Sequence, residues 1–155
     1  DCRYGFWFSS FWISKKSDTK PTSGLATMAK RYVGEREDKL NDSGLRNKII
    51  DHDMNSQAFA LTLRRAAEES KKSNQGPSAA SSIFKYYGTE HNKLRYEIML
   101  EAMGTKALGW EGAEFGPEEL AITREWLRTK ANSIEGGTSE VQLNVISKRV
   151  LELPQ

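Results

Sequence analysis

The chain has 155 residues with a formal net charge of +2, and 37% of its residues are hydrophobic. This length is typical of one domain with a real core, and no apolar run is long enough to span a membrane. The excess charge lies in residues 1–23 and leaves the rest of the chain neutral, which argues against a nucleic-acid-binding surface.

Residues 1–23 form a segment distinct from the rest of the chain. Basic residues follow its aromatic cluster and no small-residue cleavage site is present, so it is not a typical secretory signal. The single cysteine, Cys2, cannot form an internal disulfide, which favours a reducing compartment and a cytoplasmic location. The segment is a docked strand or helix, or the remnant of a preceding domain, and we expect it to contact a partner or further chain. The aromatic cluster comprises Phe6, Trp7, Phe8, Phe11, Trp12 and Ile13.

From residue 24 onward the sequence predicts helices. Gly24–Val33 is a short helix, and a charged connection follows over residues 34–38. Asp42 or Ser43 supplies the N-cap of a long helix, and residues 74–77, Asn-Gln-Gly-Pro, break it. The apolar residues along this helix are Leu45, Ile49, Met54, Phe59, Leu61 and Leu63.

A second long helix begins after Ser78 and ends at Gly104, a predicted C-terminal cap. Its apolar residues recur at steps of three and four, which predicts a core-facing stripe. Asp51-His52-Asp53 points around a helix and His91 has no ligand-spaced partner, so no metal site is predicted and both histidines are interpreted as structural or solvated. The stripe comprises Ala80, Ile83, Phe84, Tyr87, His91, Leu94, Ile98 and Ala102.

The connection of residues 105–116 carries three large apolar residues that are expected to anchor it to the helices. Pro117 then opens a further helix. Two long helices joined by a short break form an antiparallel hairpin, and shorter helices complete the bundle. The predicted fold is therefore all-α, a four- or five-helix up-and-down bundle over residues 24–155. The three anchoring residues are Leu108, Trp110 and Phe115.

A glycine pair in the tail runs directly into a capped helix. Glu135 precedes Gly136 and Gly137, whose small size lets backbone N–H groups approach a ligand closely. The first N–H groups of a helix lack intrahelical partners and lie at the positive end of its dipole, so an anion can bind there. A glycine turn before a helix is equally expected of any helix–loop–helix connection, and the residues alone leave both interpretations open.

The cap of the tail helix is also defined by residue types. Thr138 or Ser139 can accept a hydrogen bond from the first turn of the helix. Ser139 and Gln142 have the S-x-x-Q spacing of a capping box, in which each side chain bonds to the other's backbone N–H.

Residues 133–142, Ser-Ile-Glu-Gly-Gly-Thr-Ser-Glu-Val-Gln, closely resemble the C-terminal signature of acyl-CoA dehydrogenases, particularly a bacterial branch with S-I-E-G-G-T-S-E-x-Q. The resemblance continues upstream through residues 109–112 and 117–131, and loosely to Gly24. Members of that family contain an N-terminal helical domain, a middle β domain and a C-terminal helical bundle. This chain resembles the last of these.

The resemblance implies FAD as cofactor and an acyl-CoA thioester as substrate, in a homo- or hetero-oligomer. In the family a glutamate removes the α-proton while the flavin takes a hydride from the β-carbon, a general-base reaction in a site closed to water. Thr138, Ser139 and Glu140 match the flavin-contacting positions, and Gly137 matches the place where substrate and flavin meet.

Two further positions follow from the resemblance. The turn ending at Gly104 matches the segment that touches the adenosine end of FAD across a dimer. Glu101 and Thr105 depart there from the family's Gln-x-x-x-Gly-Gly, and an additional carboxylate beside a diphosphate is unfavourable unless it points away. The family's Arg-x-x-Phe-Gly flavin segment is missing.

The catalytic base has no single assignment. Alignment with the medium-chain enzymes places the catalytic glutamate at Gly136, and Glu135 lies one residue earlier. Three explanations remain: Glu135 serves in a shifted loop, the base lies in chain outside this sequence, or this subunit has no base. Two functions remain as well, part of a FAD-dependent dehydrogenase that is inactive alone, or a non-catalytic helical interaction module derived from that family.

Overall fold

The structure, a computed structural model, describes residues 24–73 and 80–154. The N-terminal segment and the predicted break at residues 74–77 lie outside the described residues. Within the described ranges, no helix is both long and apolar enough to cross a membrane. The elements are α1 Gly24–Val33, β1 Glu35–Arg36, β2 Lys39–Leu40, α2 Ser43–Ser73, α3 Ala80–Met103, a 3₁₀ helix Gly104–Leu108, α4 Pro117–Asn132, α5 Ser139–Val145 and a π-helical turn Ile146–Val150.

The predicted all-α bundle is confirmed, and α3 is its central helix. It contacts α1, α2, α4 and α5. The α2–α3 pair is antiparallel, because Lys48 near the start of α2 bonds to Glu101 near the end of α3, at 2.7 Å between Nζ and Oε1. Further along α2, the Ser56 hydroxyl lies 2.6 Å from Nε2 of His91.

The beginnings of two helices are stabilised as their sequences indicate. Asp42 caps α2, since its Oδ1 accepts from the Leu45 backbone N–H at 2.9 Å. Pro117 is the first residue of α4, where its missing N–H costs nothing. The Glu119 carboxylate reaches back and accepts from the Gly116 N–H at 2.7 Å. Both helices therefore start where capping chemistry predicts.

The charged connection after α1 is an antiparallel hairpin rather than an irregular link. Glu35 pairs with Leu40 across it. The two turn residues, Glu37 and Asp38, have φ values of 53° and 59°. Left-handed conformations at both central positions are those of a type I′ turn, and the glycine that usually marks this turn is missing here. The hairpin was therefore not predicted, although it carries Leu40 into the core.

The hydrophobic core lies at one end of the α2–α3 pair, beneath α1 and β2. The stripe predicted on α3 is buried at His91, Ile98 and Ala102, but Ile83, Tyr87 and Leu94 are exposed, so the prediction was wrong for these three residues. The core residues of α1, Leu25 and Ala29, share one cluster with Ile98, Met99 and Ala102 near the end of α3. The core cluster comprises Leu25, Ala29, Leu40, Leu45, Ile49, Ile98, Met99 and Ala102.

The connection between α3 and α4 is held differently from the prediction. Leu108 is 81% exposed and Trp110 is 53% exposed, so neither anchors the segment by burial. Instead, the Arg124 guanidinium lies 5.3 Å from the centroid of the Trp110 ring and donates to the Trp110 carbonyl at 2.8 Å. Phe115 is half-buried against Gly109, where a Cβ atom would lie 2.4 Å from the ring. Polar and ring contacts thus replace the predicted apolar anchors.

Candidate functional site

Residues 133–139, here called the glycine loop, connect α4 to α5. Gly136 and Gly137 have φ values of 67° and 99°, a region that residues with a Cβ atom rarely adopt. A Cβ atom on Gly137 would lie 2.6 Å from Nε2 of Gln142, whereas one on Gly136 would meet nothing within 4 Å. The backbone conformation therefore requires the glycine pair, and Gly137 also has a close neighbour.

The N-cap of α5 is Thr138, whose hydroxyl accepts from the Val141 N–H at 3.3 Å. The predicted capping box between Ser139 and Gln142 is wrong, because Ser139 is already the first helical residue. Its hydroxyl instead donates to Oε1 of Glu90 at 3.2 Å. The residue matched to the flavin-contacting serine thus turns its side chain towards α3.

Glu90 joins both ends of the glycine loop to α3. Its Oε1 also accepts from the Ser133 hydroxyl at 3.0 Å, and the Lys93 ammonium lies 2.7 Å from its Oε2. Burial acts to raise the pKa of the Glu90 carboxyl, but the hydrogen bonds from Lys93, Ser133 and Ser139 outweigh it and hold the pKa below its ordinary value. Glu90 is therefore a carboxylate at neutral pH.

A lysine of α3 contacts the middle of the loop. Lys85 Nζ donates to the Gly137 carbonyl at 2.6 Å. Burial lowers the pKa of the Lys85 ammonium, although the carboxylates of Glu135 and Glu90 oppose that effect. Sequence reasoning missed both Lys85 and Glu90, since neither has a motif and only the packing of α5 on α3 brings them to the loop.

The proposed base lies on the outer side of the loop. The Glu135 side chain is 55% exposed and forms an ion pair with Arg128, at 3.0 Å between Oε2 and Nη2. Glu140 is also exposed, and hydrogen bonds from its own backbone N–H and from the Thr138 hydroxyl lower the pKa of its carboxyl. In the described residues, nothing encloses either carboxylate in a site closed to water.

Gly104 lies at the opposite end of α3 from the glycine loop, roughly 20 Å along the helix axis from Glu90. Its φ is 56°, as expected of the residue that ends a helix. The nearby Glu101, which departs from the family's pattern, is paired with Lys48 at 2.7 and 2.8 Å. The structure therefore places residues 135–140 close together and Gly104 apart from them. The ion pair with Lys48 also neutralises the charge of the Glu101 carboxylate.

A second feature is a pair of histidines that sequence spacing did not connect. His52 and His91 stack with ring centroids 4.0 Å apart, at the edge of a cavity of about 300 Å³ between α1, α2 and α3. Burial lowers the pKa of both imidazoles, and with the neighbouring His52 it brings that of His91 to about 4. Neither ring nitrogen of His52 has a hydrogen-bond partner among the described residues. At neutral pH both rings are therefore uncharged.

The glycine loop leads directly into α5. Among the described residues, the turn that follows α4 runs through Gly136 and is closed by the Gly137 N–H, while the Ser139 N–H donates to the Ser133 carbonyl at 3.0 Å. The first N–H groups of a helix lie at the positive end of its dipole, which favours a negative charge or an acceptor atom. The chemistry available here is therefore backbone hydrogen-bond donation beside the start of a helix.

Comparison with known proteins gives one match. The family model for the acyl-CoA dehydrogenase C-terminal domain matches residues 23–151. No curated protein and no solved structure matches significantly. The match spans the helices and the glycine loop described above, and it covers most of the chain. The chain therefore belongs to the acyl-CoA dehydrogenase family and contains its C-terminal domain.

Proposed function

We propose that this chain is the C-terminal helical part of a FAD-dependent acyl-CoA dehydrogenase, which removes hydrogen from the α and β carbons of an acyl-CoA thioester. The observation that carries the proposal is the match of residues 23–151 to the acyl-CoA dehydrogenase C-terminal domain, which includes the glycine loop. In that loop Gly136 and Gly137 have φ values of 67° and 99° directly before α5.

The loop fits the flavin chemically, because it supplies backbone donors and the positive end of a helix dipole. Gly137, Thr138, Ser139 and Glu140 would hold FAD in this proposal, Ser139 through its backbone, and Gly104 would meet the adenosine end across a subunit interface. Bound there, the flavin would accept a hydride from the β-carbon of the acyl-CoA substrate. Lys48 removes the unfavourable charge of Glu101 near that second contact.

Glu135 is the proposed base for the α-proton. To reach a substrate its carboxylate must leave Arg128, to which it is bonded in this structure. A general base works best where water is excluded, and Glu135 is exposed. We therefore propose that other chain or a partner subunit completes the site, and that the isolated chain does not turn over substrate. If Glu135 does not serve as the base, the base lies in chain outside this sequence or this subunit has none.

An exposed apolar row supports association with a partner. It lies on α2 and α3 outside the core cluster, and large exposed apolar surfaces commonly mark interfaces. The same surface favours a second candidate function, a non-catalytic helical interaction module in a homo- or hetero-oligomer. A cytoplasmic location accords with either candidate. The apolar row comprises Ile50, Met54, Leu61, Ile83, Tyr87 and Leu94.

The two functions are distinguished by titrating the chain with FAD and measuring flavin fluorescence and visible absorbance. We expect saturable binding that Gly137→Val abolishes, because the new side chain meets Gln142 and is strained at a φ of 99°. Gly34→Val is the matched control, since Gly34 has a φ of 82° and open surroundings. Helical circular dichroism should be unchanged in both variants. Undiminished binding by Gly137→Val would reject this site. No binding by the unaltered chain would mean that a flavin site needs further chain or a partner subunit, and that the chain alone is a structural module.

A further inference from the structure

The cavity between α1, α2 and α3 has a largely apolar wall and includes no residue of the glycine loop. Its volume is about 300 Å³, at the small end of the range of small-molecule sites. The stacked rings of His52 and His91 form part of the wall. A ligand of this cavity is therefore small, and an aromatic group on it would find flat rings to pack against. The apolar lining residues are Leu25, Phe59, Ala60 and Leu63.

Two side chains of opposite charge line the same cavity, Asp53 of α2 and Arg95 of α3. Among the described lining residues they are the only acidic and basic side chains. Within residues 24–73 and 80–154, the Arg95 side chain has no hydrogen bond or ion pair. The Asp53 carboxylate approaches the uncharged His52 ring, at 3.8 Å between Oδ1 and Nδ1, and pairs with no cation there. Both charges are therefore available to a ligand.

The register of the two helices places these charges at the same level of the cavity. Lys48 of α2 bonds to Glu101 of α3, and further along α2 Ser56 bonds to His91. The acidic lining residue lies between Lys48 and Ser56 on α2. The basic lining residue lies at the matching position of the antiparallel helix, between His91 and Glu101. No ion pair joins the two in the described structure, so a gap remains between facing opposite charges.

The imidazole of His52 gives an independent indication that the cavity takes a polar molecule. His52 is 4% exposed and lines the cavity. Neither of its ring nitrogens has a hydrogen-bond partner among the described residues. Buried polar side chains nearly always have a partner, and an exception calls for an explanation. An unpaired imidazole in the wall of a cavity therefore indicates a site that a bound polar molecule completes.

We propose that this cavity binds a free α-amino acid with an aromatic side chain. The ammonium group of the ligand pairs with the Asp53 carboxylate, and its carboxylate pairs with the Arg95 guanidinium, while its ring enters the apolar part of the cavity. A simple amine or a simple acid would leave one of the two charges unpaired. The assignment uses neither the flavin nor the glycine loop, so it goes beyond the proposed function and does not depend on it.

The experiment titrates the full chain, without a histidine tag, with L-phenylalanine and follows the imidazole signals by NMR. The sequence contains two histidines and both line the cavity, so these signals report on this site alone. We expect saturable shifts. 3-Phenylpropanoate lacks the ammonium group and 2-phenylethylamine lacks the carboxylate, so each should bind about tenfold more weakly or worse. Unshifted imidazole signals with L-phenylalanine would overturn the site, and equal affinity for either analogue would overturn the bridge between the two charges.

Variants of the two charged residues give the second readout. Asp53→Asn and Arg95→Gln should each weaken the binding of L-phenylalanine by about tenfold, because each removes one charged contact. Arg95→Gln should leave the weak binding of 2-phenylethylamine unchanged, since that amine has no carboxylate to lose a partner. Asp51→Asn and Arg36→Gln are the matched controls, exposed and outside the cavity, and should bind L-phenylalanine normally. With helical circular dichroism unchanged, undiminished binding by Asp53→Asn or Arg95→Gln would overturn the assignment.

Discussion

At the residue scale, Glu135 and Arg128 form the exposed ion pair nearest the glycine pair in the described structure. Exposed pairs of this kind contribute little stability, typically below about 1 kcal/mol. Glu135 can therefore leave Arg128 at small cost when a substrate and a covering domain approach. A substitution of Glu135 should therefore test its proposed role as the base without destabilising the fold.

Glu135→Gln should remove dehydrogenation in the complete flavin-containing assembly, because an amide cannot take the α-proton, and the loss should exceed about a hundredfold in kcat. Turnover is measured with an artificial electron acceptor. Glu125→Gln is the control, since Glu125 is exposed on α4 with no described role. Undiminished turnover of Glu135→Gln would place the base elsewhere in the assembly.

At the element scale, the stacked histidines join the middle of α2 to the middle of α3. His91 is bonded to Ser56, while His52 lies 3.8 Å from Asp53 and has Arg95 nearby on α3. Protonation would place a positive charge between two packed helices, next to a second imidazole. The helix pair is therefore expected to weaken in acid.

The sign of this effect follows from the lowered pKa of His91, about 4 in the folded chain against 6.5 in the unfolded chain. Between these values the unfolded state binds more protons, so stability is present above pH 6.5 and is lost as pH falls towards 4. We expect the stability advantage of the unaltered chain over His91→Gln to shrink by up to about 3 kcal/mol across this range. Urea unfolding at a series of pH values measures it, and a constant difference would contradict the prediction.

At the scale of the whole molecule, the described helices have a packed end and an open end. Ile98 is 2% exposed within the core, whereas Leu61, in the apolar row, is 66% exposed. Both are branched aliphatic residues on the two longest helices. The structure therefore provides a matched pair for measuring where the hydrophobic stabilisation lies.

Ile98→Ala should lower the free energy of unfolding by about 2–5 kcal/mol, because it removes buried groups and leaves a cavity. Leu61→Ala should change it by less than about 0.5 kcal/mol in the dilute chain. Urea unfolding at low protein concentration makes the comparison. An equal cost at Leu61 would show that the apolar row is buried in solution, and a cost that grows with protein concentration would identify self-association.

Local sequence predicted those parts of the molecule that depend on neighbouring residues. The bounds of α1, the cap at Asp42 and the first-turn position of Pro117 follow from capping chemistry within a few residues. The glycine loop and the family were recognised from a contiguous motif at residues 133–142. The missed hairpin at residues 35–40 also belongs to this scale, but its turn uses Glu37 and Asp38 where glycine is the usual signal.

The sequence by itself determined the helical class, most helix boundaries and the family, because periodicity, caps and motifs are written in adjacent residues. Only the tertiary structure decided which residues of the α3 stripe are buried, since that depends on how α1, α2, α4 and α5 pack against it. It alone joined His52 to His91 and brought Lys85 and Glu90 to the glycine loop. These contacts link residues far apart in the chain, so their geometry is set by helix packing, which no local pattern encodes.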